Sequence, residues 1–298
     1  MDRLLTQAYA PTTHLTYAQG IAAFNDFCRA THQVNSFPVT PEIVPHFVAY
    51  LSLSGKSFST AKTYLAAISA KHKINNMPDP TNSFLVKKLM QGFSRSVPSK
   101  DARFPITFER LKQLVACLHL VCSNSYESTL FKTAFTLSFF GFFRVSELIG
   151  QGQSLSRGRT GIQKTDVRIS NDKVVVKLRG SKTDQNGKGQ SVSLPQVVES
   201  PDTCPVRVLL EYLQHRPKSG GLLLIHINSH PLSRYQFQAV LKKAAQFLGW
   251  PAQGYSSHSF RIGAATTAAM NGMSISSIMH KGRWKSAAVK GYLRPERV

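Results

Sequence analysis

The sequence predicts a mainly α-helical protein with a small β-sheet, built from an all-helical first unit and a mixed α/β second unit. Three observations lead to this prediction. Apolar residues recur at helical spacing through the first third of the chain, a polar and basic segment bounded by prolines follows, and β-rich runs appear after Gly150. We expect the units at 1–97 and 106–298, with 98–105 as a linker.

Four helices are predicted in the first unit. The first covers 13–28, where seven apolar residues follow the period of an amphipathic helix. The second should run to Leu53, with the hydroxyl of Thr40 at its N-cap and Pro41 at its first position. The third and fourth are expected at 57–72 and 82–93.

Lysines gather on the last two of these helices and at their ends. They are Lys56, Lys62, Lys71, Lys73, Lys87 and Lys88. A compact helical unit with such lysines is what a DNA-clamping module looks like. For any single lysine, however, a solvated helix face is the favoured explanation.

The second unit should begin with two helices. Thr107 is expected to cap a helix that ends at Leu120, and a longer helix should run from Ser128 to Leu148. The runs at 173–179 and 190–194, joined by a loop with Asn186-Gly187, predict a β-hairpin. Further helices are expected at 204–215, 233–248 and 259–270, followed by two short ones, each opened by serine, at 274–280 and 286–293.

The charge balance indicates a polyanionic partner. The 298 residues contain 37 Lys plus Arg against 15 Asp plus Glu, which gives a net charge of +22. Such a protein is drawn to nucleic acid, although charge alone also allows a ribosomal-type or a basic membrane-surface protein. An apolar fraction of 42% and a charged fraction of 17% exclude a disordered chain.

Neither a metal nor a membrane is expected. The cysteines, Cys28, Cys117, Cys122 and Cys204, form no C-x-x-C pair and have no histidines at zinc spacing, which indicates reduced thiols in an intracellular compartment. The first fourteen residues lack the apolar core of a signal peptide. The most apolar run, 130–143, contains Lys132 and is too short to span a bilayer.

Six side chains of the second unit form a set with a clear chemistry. In chain order they are Arg144, Lys182, His258, Arg261, Trp284 and Tyr292. Guanidinium groups bind phosphate oxygens bidentately, and donors aimed at developing charge stabilise a transition state. A phenol needs cationic neighbours or a base before it can act as a nucleophile. Together these groups suit the cleavage of a phosphodiester without a metal.

The order Arg…Lys…His-x-x-Arg…Trp…Tyr resembles the tyrosine recombinase (phage-integrase) family, and the resemblance extends over nearly the whole chain. The segments SKTDQNGKG, HSFRIGAAT and GRWKS are most similar to those of eukaryotic mobile elements of the DIRS, Ngaro and Crypton kinds. The resemblance implies a C-shaped clamp around double-stranded DNA and strand cleavage and rejoining through a 3′-phosphotyrosyl bond. It implies no cofactor, neither ATP nor metal, and self-association on DNA as a dimer to tetramer.

The resemblance also implies a role for each residue of the set. Arg144 and Arg261 would bind the scissile phosphate, and Glu147, one helical turn from Arg144, would hold that guanidinium in place. Lys182 would protonate the leaving 5′-oxygen, with Lys188 on the same hairpin as the alternative.

In the family pattern the remaining residues move the proton and attack the phosphate. Trp284 stands where many members have a second histidine, and its indole N–H donates but cannot transfer a proton, which leaves His258 to accept the tyrosyl proton. Tyr292 is the expected nucleophile, eight residues after Trp284 where many members show nine. Tyr255 is the only other tyrosine near these motifs.

Three other functions compete with this prediction. A type IB topoisomerase would use much the same residues, and a domesticated, non-cleaving DNA-binding protein would keep the fold and the charge. A metal-dependent transposase would need clustered carboxylates, which the thinly spread acidic residues do not offer. In a eukaryotic host, which the motifs favour, we expect the protein in the nucleus; in a bacterial host, in the cytoplasm or nucleoid.

Overall fold

The structure is a computed structural model of the chain and describes Leu4 and residues 7–33, 37–96, 101–150, 161–179 and 189–298. The chain forms two compact units, Met1–Asp101 and Ala102–Val298. The described part is mainly helical with one small sheet, as the sequence predicts. Residues 97–100, which contain the start of the predicted linker, lie outside the described residues.

The first unit is helical throughout the residues that the structure describes. Its helices are α1 (Pro11–Ala30), α2 (Ile43–Leu53), α3 (Phe58–Ile74) and α4 (Phe84–Ser96), with a 3-10 turn at Pro80–Asn82. Helix α1 packs against α3 and α2 packs against α4, so that their apolar faces share one core. Phe24 and Phe47, with ring centroids 5.2 Å apart, are fully buried at its centre.

The predicted start of α2 is wrong by two residues. The backbone N–H of Ile43 donates to the carbonyl of Thr40 over 3.2 Å, which closes a turn through Pro41 and Glu42. The helix therefore begins at Ile43, with Glu42 rather than Thr40 at the N-cap. A proline at N1 and a proline inside a preceding turn look alike in sequence, because both need the same fixed φ.

The second unit contains more elements than the first. Its helices are α5 (Phe108–Val121), α6 (Ser125–Phe140), α7 (Val145–Leu148), α8 (Pro205–His215), α9 (Arg234–Phe247), α10 (Ser257–Met270) and α11 (Ile275–Gly282), and its strands are β1 (Val167–Ile169), β2 (Lys173–Leu178) and β3 (Gln190–Pro195). Short 3-10 turns lie at Lys164–Asp166, Pro201–Thr203, Ala252–Gly254, Ala287–Tyr292 and Pro295–Arg297. The last predicted helix, 286–293, is thus a 3-10 turn.

The three strands form an antiparallel sheet in the order β1-β2-β3. Strands β2 and β3 pair from Lys173 opposite Pro195 to Leu178 opposite Gln190, which confirms the predicted hairpin. Their connecting loop at 180–188 lies outside the described residues. Strand β1 was not predicted, because three residues are too few to show an alternating pattern.

Serine and threonine mark four helix starts correctly. The side chains of Ser57, Thr107, Ser233 and Ser274 each accept a hydrogen bond from the backbone N–H three residues later. Each bond satisfies one of the N–H groups that a helix start leaves without a partner.

The predicted single helix from Ser128 to Leu148 is wrong at both ends. Helix α6 begins at Ser125, capped by Asn124, and ends at Phe140. Phe142 then adopts a left-handed conformation with φ 49°, which no α-helix continues through. The chain restarts as the four-residue helix α7, so Arg144 is an N-cap and not the end of a long helix.

Helix α10 runs through the core of the second unit and lies unusually close to the segment before α5. The N–H of Ile106 donates to the carbonyl of Ser259 over 2.9 Å. A Cβ on Gly263 would lie 2.8 Å from the Ile106 nitrogen and still closer to its carbonyl group. Only glycine allows this approach, which fixes α10 against the core one turn after the predicted site residues.

Candidate active site

The turn between α6 and α7 presents one carbonyl to two arginines. Phe142 stands in its left-handed conformation, and the next N–H, that of Phe143, donates back to Ser138 over 3.1 Å. The Phe142 carbonyl accepts hydrogen bonds from Arg261 and from Arg283. Two side chains from more than a hundred residues later in the sequence therefore meet at this turn.

The Glu147 carboxylate accepts two hydrogen bonds from Arg144 at the start of α7. The backbone N–H of Arg144 donates to Glu147 Oε2 over 3.0 Å, and its Nη1 donates to Oε1 over 2.6 Å. The Arg144 side chain is 21% exposed, whereas that of Glu147 is 4% exposed. The predicted pair thus exists, with a buried carboxylate that holds a partly exposed guanidinium.

Arg283 is a third arginine at the site that the sequence analysis did not single out. Its side chain is only 4% exposed, and its Nη2 donates to Glu147 Oε2 over 3.0 Å. Its Nη1 donates to the carbonyls of Gly141 and Lys281 over 3.0 and 3.1 Å. The sequence signal that could have found it is its place directly before Trp284 in GRWKS.

Two guanidinium groups and a backbone N–H keep Glu147 ionised. Burial alone would raise the pKa of this carboxyl, but Arg283, the N–H of Arg144 and the Arg144 guanidinium together hold the pKa below its usual value. The buried carboxylate forms an ion pair with both cations, since each of its oxygens accepts a hydrogen bond from a different guanidinium group.

Arg261 is fully buried and does not present a free fork. Its Nη1 donates to the Phe142 carbonyl and its Nη2 to the Gly282 carbonyl, while its Nε is buried with no hydrogen-bond partner. Burial, and then the positive charge of Arg144, lower the pKa of Arg261 to about 10, which leaves it a cation at neutral pH. Of the two predicted phosphate ligands, Arg144 is therefore the accessible one in this arrangement.

His258 lies half-buried in the first turn of α10, one helical turn before Arg261. The cap residue Ser256 accepts the His258 N–H over 3.3 Å and so fixes the start of the helix. Burial, followed by the charges of Arg103 and Arg234 and then of Arg261 and Arg144, lowers the pKa of His258 to about 4.

The imidazole of His258 is therefore neutral at physiological pH and has a ring nitrogen that can accept a proton. Four arginines lie within electrostatic range of this imidazole. Arg103 and Arg234 carry no motif signal, because one falls in the predicted linker and the other at an ordinary helix start.

Trp284 and Tyr292 pack beside Arg261. The Arg261 guanidinium lies 4.2 Å from the centroid of the Trp284 ring and 5.7 Å from that of the Tyr292 ring. The two rings are themselves 5.0 Å apart. The Trp284 ring also rests on Gly282, where an added Cβ would lie 2.6 Å from Cη2 and closer still to two other ring atoms. Both aromatic residues are half-buried.

A single threonine fixes the backbone of the predicted nucleophile. Thr266 of α10 donates its hydroxyl to the Tyr292 carbonyl over 3.2 Å and accepts the N–H of Arg294 over 3.1 Å. The competing Tyr255 is only 2% exposed, with its ring between those of Phe104 and Trp250. Burial raises the pKa of Tyr255, which disfavours its phenolate.

The predicted lysines differ in whether the structure describes them and in how exposed they are. Lys182 and Lys188 lie outside the described residues. On the first unit Lys56, Lys62, Lys73, Lys87 and Lys88 are exposed and Lys71 is half-buried. The ammonium groups of three of them have protein partners. Those of Lys71 and Lys88 lie 3.5 and 5.4 Å from the ring centroids of Phe37 and Phe84, and that of Lys73 lies 3.2 Å from Asp79.

Within the described residues no group of three His, Cys, Asp or Glu side chains has the arrangement of a metal site. The four cysteines are free thiols, and burial raises the pKa values of Cys28, Cys117 and Cys122. In the same part of the chain no helix is long and apolar enough to cross a membrane.

The fold is that of DNA-processing recombinases. The XerH site-specific recombinase bound to its palindromic difH substrate superposes with a TM-score of 0.66 at 16% identity, over 95% of this chain and 76% of that one. A lambda integrase dimer bound to a COC′ core site gives a TM-score of 0.60 at 16% identity, over 98% and 91% of the two chains. No protein-family model matches the sequence.

A curated relative extends the likeness to sequence. An integrase/recombinase XerD homologue of Selenomonas ruminantium is 27% identical over 296 residues, which are 95% of this chain and 81% of the relative. In fold and in sequence, this chain is therefore similar to site-specific recombinases and integrases.

Proposed function

We propose that this protein cleaves and rejoins DNA strands in site-specific recombination or element integration, with Tyr292 as the nucleophile. The observation that supports this most strongly is the environment of Arg261, whose guanidinium lies against both Trp284 and Tyr292 and shares the Phe142 carbonyl with Arg283. A cationic site beside a half-buried phenol suits attack on a phosphodiester.

The arginines neutralise the phosphate in different ways. Arg144 is the one whose partly exposed guanidinium binds a non-bridging oxygen directly. Arg261 contributes its buried charge, and its unpartnered Nε–H is the donor that it can offer without breaking either carbonyl bond. Neutralising the negative charge of the pentacoordinate phosphorane is the main catalytic task, because the negative charge of the phosphate repels an anionic nucleophile.

The proton balance assigns a base and an acid. The Tyr292 Oη–P bond forms while the P–O5′ bond breaks, and the tyrosyl proton passes to His258. The entering phosphate is negative, so it offsets the arginine charges that lower the pKa of His258 in the free protein. Lys182 is proposed to protonate the leaving 5′-oxygen, and attack by a 5′-hydroxyl of a partner strand reverses the step. Energy stays in the phosphotyrosyl bond, so neither ATP nor a metal is needed.

Double-stranded DNA is the proposed partner of both units. The net charge of +22 supplies the attraction, and the exposed lysines of α3 and α4 supply phosphate contacts in the first unit. Self-association on DNA, from dimer to tetramer, follows from strand exchange, which needs at least two cleaved sites held together. The lambda integrase to which this chain is similar was found as a dimer on its core site.

The host element is proposed to be eukaryotic, of the DIRS, Ngaro or Crypton kind, and the protein is then nuclear. The support is the similarity of the segments SKTDQNGKG, HSFRIGAAT and GRWKS to those of such elements. The flanking genome tests this. Split or terminal repeats and a neighbouring reverse transcriptase would support a retroelement, and a bacterial chromosome around the gene would contradict the assignment.

A covalent selection tests the reaction without knowledge of the target site. The full-length protein is incubated in EDTA with a pool of nicked duplexes of randomised sequence, and DNA that stays attached to protein in detergent is recovered and sequenced. Wild type should enrich a defined sequence, because the nick releases the 5′-hydroxyl fragment and traps the adduct.

The variants of this experiment identify the nucleophile. Tyr292→Phe should give no adduct while keeping duplex affinity, whereas Tyr255→Phe should still form the adduct. Adducts with Tyr292→Phe would place the nucleophile elsewhere. Duplex binding by wild type with no adduct on any sequence would favour a non-cleaving DNA-binding protein.

A further inference from the structure

Arg283 occupies a backbone position that normally belongs to glycine. It follows the last residue of α11 with φ 60° and ψ 38°, and the N–H of the next residue, Trp284, donates back to Met279 over 2.9 Å. Left-handed residues at helix C-termini are usually glycine, because a Cβ is disfavoured there. The neighbouring Gly282 has a different reason to lack a Cβ, since the Trp284 ring rests directly on it.

The side chain at this unfavourable position is buried, and both of its terminal nitrogens donate hydrogen bonds, while its Nε has no hydrogen-bond partner. The Arg283 guanidinium donates to Glu147 and to three carbonyls, those of Gly141, Phe142 and Lys281, at distances of 3.0–3.1 Å. Two of these carbonyls, those of Gly141 and Phe142, belong to the turn that precedes Arg144. They come 142 and 141 residues before Arg283 in the sequence. The strained backbone thus coincides with a set of long-range bonds that glycine could not make.

These bonds join two halves of the candidate site. On one side Glu147 holds Arg144 through Oε1 and Arg283 through Oε2. On the other side, the next residue in the chain after Arg283 is Trp284, whose ring contacts that of Tyr292. A displacement of Arg283 would move the partly exposed guanidinium relative to the phenol.

We propose that Arg283 is a positioning residue, which acts through Glu147 and the Phe142 carbonyl to hold Arg144 and the Trp284–Tyr292 segment at a fixed separation. The inference rests on the proposed function for its catalytic consequence. Its structural content, the coupling of the 141–147 turn to the 284–292 segment, is independent of that function.

Two substitutions and a matched control test the proposal in the full-length protein. Arg283→Gly suits the left-handed backbone and removes every side-chain bond, and Arg283→Lys keeps one charged donor without the fork. Arg216→Lys is the control, because Arg216 is equally buried in the same unit but donates only to the local carbonyls of Pro217, Ser219, Leu222 and Leu223.

The first measurement is the first-order rate of adduct formation on the nicked duplex recovered by the covalent selection, at saturating protein. Arg283→Gly should lower this rate about 10²-fold, the cost of a misplacement near 1 Å, with duplex affinity unchanged. Arg283→Lys should restore about tenfold of the loss through one charge-assisted bond. Arg216→Lys should lower the thermal midpoint but leave the rate of the folded protein within about twofold of wild type.

The pH dependence separates positioning from mere stability. Glu147 faces three cations: Arg144 on its own turn, Arg261 on α10 and Arg283 after α11. Loss of Arg283 removes the largest charge that lowers the pKa of Glu147, so the acid limb of the rate should move to higher pH in Arg283→Gly. The shift should disappear in the Glu147→Gln, Arg283→Gly double variant and be absent from Arg216→Lys.

The second measurement does not depend on cleavage. Amide hydrogen exchange in free Arg283→Gly should rise together in peptides covering 141–147 and 284–293, and should not rise there in Arg216→Lys. Unchanged exchange in both segments would overturn the proposal, as would a wild-type adduct rate in Arg283→Gly. If wild type itself forms no adduct, the proposed function fails, while the exchange result still decides whether Arg283 couples the two segments.

Discussion

Gly263→Ala should destabilise the second unit even though alanine is the better helix former. In an open helix the change gains about 1 kcal/mol of helix propensity. Here the new Cβ would lie 2.8 Å from the Ile106 nitrogen and closer to its carbonyl, whereas ordinary contact begins at 3.4 Å. The cost is about 1–3 kcal/mol of overpacking and about 1 kcal/mol for the strained Ile106–Ser259 hydrogen bond.

The net loss is therefore about 1–3 kcal/mol, which lowers the melting temperature of a unit of this size by roughly 3–10 °C. Gly92→Ala is the matched control, because Gly92 also lies inside a helix, α4, but an added Cβ meets nothing within 4 Å. It should raise the melting temperature of the first unit. Calorimetry on the full chain measures both transitions, and an unchanged or raised second transition in Gly263→Ala would refute the close approach of α10 to Ile106.

Three further predictions concern the site and its partner. Arg144→Lys keeps the charge but loses the partly exposed fork, and Arg261→Lys keeps the charge but loses the Nε–H donor and a bond to a buried carbonyl. Each should slow adduct formation about 10²–10³-fold in single-turnover gels, with or without EDTA, and a rate near wild type would remove that arginine from the phosphate. The pKa of His258 is lowered from 6.5 to about 4, so the unfolded chain binds this proton first and stability falls as pH drops through that window. Urea unfolding of wild type and His258→Gln across that range should show the wild type losing more stability, and parallel curves would contradict the burial of a neutral imidazole. Duplex affinity should fall steeply with salt, by about 0.9 logarithmic units per tenfold salt for each phosphate contacted, and a flat titration would mean that the +22 charge is not used on DNA.

Local chemistry explains what could be predicted from the sequence. Helix starts at Ser57, Thr107, Ser233 and Ser274 were readable because a hydroxyl satisfies a nearby N–H whatever the rest of the chain does. The β2–β3 pairing could be predicted because two β-rich runs flank a loop that contains Asn186-Gly187.

The features that could not be predicted depend on distant partners. The run from Phe139 to Val145 is apolar except for Gly141 and Arg144, and the C-cap residue Gly141 is the local signal for the end of α6 at Phe140. The left-handed Phe142 is stabilised where its carbonyl meets Arg261 and Arg283, from parts of the chain more than a hundred residues later. The burial of Arg283 has the same origin, because its counter-charge, Glu147, lies 136 residues away in the sequence.

The sharing of acceptors at the Phe142 turn constrains how this sequence can evolve. The Phe142 carbonyl serves Arg261 and Arg283, and Glu147 serves Arg144 and Arg283, so no one of these arginines can drift alone without leaving a buried group unpaired. A lineage that replaces Arg283 by glycine relieves its backbone but leaves the buried Glu147 with one guanidinium partner, Arg144, instead of two. Across relatives of this protein, positions 147 and 283 should therefore change together, and an alignment of them would display that covariation as a single inherited pair.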